Sequence, residues 1–163
     1  YLNPSIIKMV NKIYHLKVEE DSVEDFYIAI HTPLEAYQLA FYINKQNKIL
    51  LERKKKDLKN KKRQGVFPFF EWEDLLSDRR CQLISNKFIR ESSNTYAKSY
   101  SLFQLPERNE VYLISDFKQV DFFIKSNYSE ILKTIQIQLN NWPMVSVSYN
   151  IFPKNKTLNE LNI

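Results

Sequence analysis

Between positions 53 and 63 the chain reads Arg53-Lys54-Lys55-Lys56-Asp57-Leu58-Lys59-Asn60-Lys61-Lys62-Arg63, its strongest charge feature. Such side chains could contact phosphates. Each Lys or Arg that neutralises a phosphate releases condensed counterions, which gives affinity without sequence preference. A solvated helix face or a disordered loop accounts for the same run, and residue types alone leave both readings open. Asp116 follows a strand-like run and Asp121 lies downstream, a pair that could imitate the carboxylates of a metal-dependent nuclease or phosphatase. A helix cap and a solvated face explain these two residues more simply. His15 and His31 are distant in sequence and lack carboxylate pairing, so no metal site is expected. His31 reads as the polar end of a strand. The single Cys81 excludes an intramolecular disulfide and a cysteine-based zinc cluster. It falls in a strand pattern, where a small buried hydrophobe is expected rather than a nucleophile. With Gly65 as its one glycine, the chain has no Gly-rich phosphate cradle or dinucleotide fingerprint. The expectation is a protein without cofactor, metal, catalytic residue or small-molecule substrate, and not an enzyme.

The elements that must position such a surface fit one domain. At 163 residues, with 44% hydrophobic and 14% aromatic residues, the chain can bury a core and is unlike a disordered sequence. No apolar run approaches the ~20 residues of a membrane helix, so no membrane partner is expected. The net charge of +5 suits a nucleic-acid partner without proving one. Richness in Lys, Asn, Ile, Phe and Tyr suggests an AT-rich coding sequence, such as an organellar or protist genome. No secretory signal is read in the opening residues.

In chain order, Asn3-Pro4 followed by Ile6, Ile7, Met9, Val10, Ile13 and Tyr14 reads as a short amphipathic helix. An acidic linker over residues 19–25 follows. Phe26-Tyr27-Ile28-Ala29-Ile30-His31 is the first core strand. Thr32-Pro33-Leu34-Glu35 offers a capping box with proline at the first helical position, and the helix carries Leu34, Tyr37, Ala40 and Phe41 on one face. Gly65-Val66-Phe67-Pro68 reads as a turn, with Gly65 and Pro68 as its structural residues. Residues 69–78 read as a short helix or irregular insertion. Arg80-Cys81-Gln82-Leu83-Ile84-Ser85 and Tyr96-Ala97-Lys98-Ser99-Tyr100-Ser101-Leu102-Phe103 read as a hairpin. The polar loop joining them, residues 86–95, is too long for a simple turn and is expected to be mobile. After a break at 106–109, residues 110–115 read as a strand and 116–125 as a short helix. Residues 127–130 cap a second helix with Ile131, Leu132, Ile135 and Leu139 on its apolar face, ended by Trp142-Pro143. The last strand, 144–151, alternates, with Val145, Val147, Tyr149 and Ile151 inward and Ser146, Ser148 and Asn150 outward.

Four of these pieces, in order, resemble the small-subunit ribosomal protein S-ten family. They are the Ile28-x-Ile30 strand with its helix and the Gly65-Val66-Phe67-Pro68 turn. Next comes the strand end Leu83-Ile84-Ser85, leading through a basic loop with Lys87 and Arg90 to the aromatic Tyr96. The fourth is a helix followed by Val145-x-Val147. The family's Pro-His after the serine is Asn86-Lys87 here, and its loop is more basic than this one. The resemblance covers an S-ten-like domain over residues 25–151, with insertions near 52–64, 69–79 and 106–126. Residues 1–24 form an N-terminal extension and 152–163 a C-terminal tail. The resemblance implies an α+β fold, two main helices packed on a largely antiparallel four-stranded sheet with a long protruding β-hairpin (ferredoxin-like). A helical N-terminal extension and a β-α insertion would be added to it. It also implies a structural constituent of the small ribosomal subunit head, with small-subunit ribosomal RNA and neighbouring head proteins as partners. RNA-binding residues on this reading are Arg53, Lys54, Lys55, Lys56, Lys59, Lys61, Lys62, Arg63, Arg79, Arg80, Ser85, Lys87, Arg90, Ser93 and Lys98. Lost glycines and added segments suit an organellar ribosome, so mitochondrial translation is the favoured setting and a plastid the alternative. The competing reading is a non-ribosomal RNA- or protein-binding adaptor subunit of an organellar complex.

Overall fold

A computed structural model describes residues 24–60, 65–92 and 107–152 of the chain. Its strands are β1 (Phe26–His31), β2 (Glu52–Arg53), β3 (Leu58–Asn60), β4 (Gly65–Phe67), β5 (Phe69–Asp74), β6 (Arg79–Ser85), β7 (Lys87–Ser92), β8 (Glu107–Tyr112), β9 (Phe122–Ser126) and β10 (Val147–Ile151). The helices are α1 (Ala36–Gln46) and α2 (Ser129–Asn140). The fold is α+β. Six strands pair antiparallel in the order β10-β1-β9-β6-β5-β2, so the sheet is wider than the four strands expected. Two further ribbons, β3–β4 and β7–β8, pair separately.

The central strands read as continuous apolar runs because the sheet is covered on both faces. Ile28, Ile30, Leu83, Phe122 and Ile124 face the helices, where Leu39, Ala40 and Ile43 of α1 meet Leu132, Ile135 and Leu139 of α2. Tyr27, Ala29, Ile84 and Phe123 face the other way, onto Phe67, Leu113, Ile114 and Val120. Each fully buried Leu, Ile or Phe contributes about 1.5–3 kcal/mol, and both clusters share the same strands.

α2 buries the expected stripe. The expected face of α1 is corrected: Leu39, Ala40 and Ile43 are buried, whereas Tyr37 and Phe41 are 64% and 67% exposed. Ala36 and Ala40 let the helix lie close to the sheet, and the two aromatic rings are turned outward. Glu35 and Gln38 form the capping box, so the helix starts at Ala36 and not at Pro33. Residues 69–78 are strand β5 and a tight turn at Asp78 (φ 50°), not a helix. Residues 116–125 hold a single 3-10 turn, Ser115–Phe117, and then β9, which is buried at every position between β1 and β6. Residues 87–92 form β7 rather than a mobile loop. The strand expected over 96–103 lies outside the described residues, and the partner of β7 is β8. The expected extension helix and the tail beyond residue 152 also lie outside them.

The faces of β10 are reversed in part. Val145 and Ile151 are buried as expected, but Ser148 is 3% exposed while Val147 and Tyr149 are 44% and 37% exposed. Asn140 of α2 explains the inversion: its Oδ1 accepts from the Ser148 N–H at 2.9 Å and from the Ser148 hydroxyl at 2.8 Å. A small hydroxyl therefore lies under the polar end of the helix.

Candidate nucleic-acid interface

Asn86 marks where β6 leaves the sheet and becomes β7. It is fully buried, and a buried amide is tolerated only when its hydrogen bonds are made. Its Nδ2 donates to the carbonyls of Phe117 (2.8 Å) and Val120 (2.9 Å), and its Oδ1 accepts from the Ile114 N–H (2.9 Å). Its backbone N–H donates to Asp121 O and its carbonyl accepts from Leu113 N–H. One side chain thus ties the root of β7 to the end of β8 and to the turn before β9. The base of the β7–β8 ribbon is apolar: Phe88 meets Phe67 edge-on with centroids 6.4 Å apart, and Val111 packs on the same cluster.

Gly65 is the first residue of β4, not a turn, and among the described residues no glycine has positive φ. The sequence needs glycine there for space. A Cβ at Gly65 would lie 2.6 Å from the Phe67 ring and 3.1 Å from a Val111 methyl. Phe67 is fully buried, so its ring folds back over Gly65 and brings the β3–β4 ribbon against β7–β8. Pro68 joins β4 to β5, and its carbonyl accepts from the Ser85 N–H at 3.0 Å.

The basic run is spread over edge strand β2, the bend after it and ribbon strand β3. Lys55, Lys56 and Lys59 are exposed. Arg53 pairs with Asp57 and lies 5.8 Å from the Phe70 ring centroid. Lys54 pairs with Glu71, whose carboxylate also accepts from Gln82 at 2.8 Å. Burial pushes Glu71 up, but the Lys54 ammonium and the Gln82 amide outweigh it and hold the carboxyl below its ordinary range. The same hydrogen bond to Glu71 raises Lys54. Lys61, Lys62, Arg63, Ser93 and Lys98 lie outside the described residues.

Several expected contacts serve the fold instead. Ser85 is buried and its backbone is engaged with Pro68. Lys87 pairs with Asp121 at 2.5 Å, and Asp121 also accepts from the Thr32 N–H at 2.8 Å, a structural role for that carboxylate. The Arg79 guanidinium stacks 4.1 Å over the Tyr128 ring, and Arg80 reaches Asp25 at 3.7 Å. Both lie at the end of β6 remote from the ribbon. Arg90 stands on β7 opposite Asn109 of β8. The sequence reading missed Asn86, a polar residue in a polar stretch, and Arg108, exposed on β8, in what read as a break.

Charge separates the two ribbons. Positions 53–63 hold eight Lys or Arg against one Asp, whereas the rest of the chain holds sixteen against eighteen acids. The β7–β8 strands carry Lys87, Arg90 and Arg108 against Glu91, Glu107 and Glu110. The excess of positive charge therefore belongs to positions 53–63, which begin on β2, pass through β3 and end outside the described residues. Among the described residues no group of three or more His, Cys, Asp or Glu side chains could hold a metal ion, and no helix is long and apolar enough to cross a membrane.

No family model, curated protein or solved structure matches this chain. The geometry stands alone: Lys55 and Lys56 are exposed in the bend after edge strand β2, and Lys59 is exposed on β3.

Proposed function

We propose that the protein is a structural, RNA-binding constituent of the small ribosomal subunit, acting by contact and not by turnover. The observation that carries this reading is the concentration of positive charge in positions 53–63, a run whose described part leaves Lys55, Lys56 and Lys59 exposed after β2 and on β3, beside a second ribbon. Lys and Arg there would set position on phosphates, while Ser and Asn could bond riboses or backbone. The strand order supports the family resemblance. Within the six-stranded sheet, the run β10-β1-β9-β6, with α1 after β1 and α2 between β9 and β10, would be the ferredoxin-like unit. On this reading β5 and β2 widen the sheet, and β7–β8 is the protruding hairpin between β6 and β9. The setting proposed is an organellar ribosome, mitochondrial first and plastid as the alternative, with head proteins as neighbours.

Sedimentation of a tagged copy from an organelle lysate tests the proposal, at low and high salt with and without magnesium. Co-migration with small-subunit RNA that survives high salt, and is lost when the subunit is dismantled, is the expected result. A small RNA-free species would overturn it. That result would leave an adaptor subunit, which the exposed Tyr37 and Phe41 rings favour.

A further inference from the structure

The outer side of α1 forms an apolar groove of about 640 Å³ lined by Leu34, Tyr37, Phe41, Tyr42, Lys45 and Trp142, among others. Its floor is rigid: the Tyr42 and Trp142 rings stack with centroids 3.7 Å apart and planes within 8°. Two large rings turned outward beside a stacked aromatic pair make a contiguous apolar patch, which a folded protein ordinarily covers.

We propose that residues 4–15 of the same chain occupy this groove, as an amphipathic helix lying along α1. Ile6, Val10 and Ile13 recur at helical spacing and need an apolar surface that such a segment cannot supply itself. Length agrees. Twelve helical residues span about 18 Å, and the eleven of α1 span about 16 Å. The ten residues that follow reach ~33 Å when extended, longer than the ~20 Å of six-residue β1, from whose far end the chain passes into α1. Charge agrees as well. The connection carries Glu19, Glu20, Asp21 and Glu24, and the chain enters β1 at Asp25, paired with Arg80, whose neighbour Arg79 lines a cleft with Lys48 and Glu130. Lys45 lines the groove itself. The occupant is therefore tethered next to its site, at an effective concentration in the millimolar range for a short flexible connection.

Trp142 reports occupancy. In full-length protein carrying Trp72→Phe, so that Trp142 is the sole indole, acrylamide quenching and emission wavelength are measured across a range of protein concentrations. Ile6→Asp/Val10→Asp/Ile13→Asp should raise quenching and shift emission to the red, and so should Phe41→Ser from the groove side. Combining the two should add nothing, since both remove one contact. A lone helix of twelve residues is marginal in water, so both variants should lose part of the far-UV helical signal, while the cooperative unfolding transition of the domain stays in place because Phe41 is 67% exposed and outside the core. Restoration of the blue emission by a peptide of residues 1–17, added to the triple variant, completes the expected pattern. Unchanged Trp142 fluorescence in the triple variant would overturn the proposal. So would quenching protection that depends on protein concentration in the parent, which would make a second copy the occupant.

Discussion

Cys81 and Tyr27 lie on neighbouring parts of the sheet and carry protons that the fold keeps. Burial pushes the Cys81 thiol from 9.0 to about 12. Burial, with Asp25 adding to it, pushes the Tyr27 hydroxyl from 10.0 to about 12. The folded state thus holds both protons above the pH at which the open chain releases them. Their contribution to stability is intact below pH 9.0 and declines as pH rises toward about 12. Cys81→Ala, at about 1 kcal/mol near neutrality, should flatten that alkaline decline in urea unfolding measured at successive pH values. An equally steep decline would show that the thiol releases its proton at the same pH in the folded and the open chain. A thiol reagent should modify native Cys81 only at the rate of global opening, since the side chain is fully buried. At the acid end Glu71, held below its ordinary range, contributes stability above its unfolded pKa. That contribution fades as pH falls through the folded one, and its partial exposure keeps it small.

Asn86 governs an element. Asn86→Ala would leave two carbonyls and one N–H without their side-chain partner in a buried site, costing about 2–4 kcal/mol in all. Hydrogen exchange should then show the β7–β8 amides losing protection before those of β1 and β9. Uniform loss across the sheet would mean that the ribbon has no stability of its own. Gly65→Ala should cost about 1–3 kcal/mol by overpacking, measured by thermal unfolding, because the added methyl would lie 2.6 Å from the buried Phe67 ring and force it to shift. These two residues also show where the sequence was opaque. Gly65 read as a turn because glycine usually marks one, yet its reason is the ring two positions on. β9 read as a helix because a strand buried on both faces loses its alternation, and Phe122-Phe123-Ile124 fits either period. β1 and α2 were legible because each keeps its pattern: a short β-rich apolar run, and an apolar residue every three or four positions. The basic run was legible as charge. That it straddles an edge strand and a ribbon was not, since pairing partners are set by tertiary contacts and not by the run itself.

At the scale of the molecule, the charge distribution makes a quantitative demand on any RNA complex. The logarithm of affinity should fall linearly with that of salt concentration, by ~0.7 to ~0.9 per phosphate neutralised. Lys55→Gln/Lys56→Gln/Lys59→Gln should weaken binding to all RNA sequences alike and reduce that slope by about 2, while leaving the melting temperature unchanged. An unaltered slope would place the interface elsewhere.

The pairing of β1 has a temporal side. Phe26 is joined to Ser126 on one flank and Tyr27 to Ile151 on the other. During synthesis at ~5–20 residues per second, the first strand waits roughly ten seconds for its last partner. Until β9 has been made, Tyr27, Ile28, Ala29 and Ile30 have neither neighbouring strand to pair with, so the nascent chain is a natural client for a holding chaperone. β10 comes last and completes the sheet, bringing Ile151 opposite Tyr27.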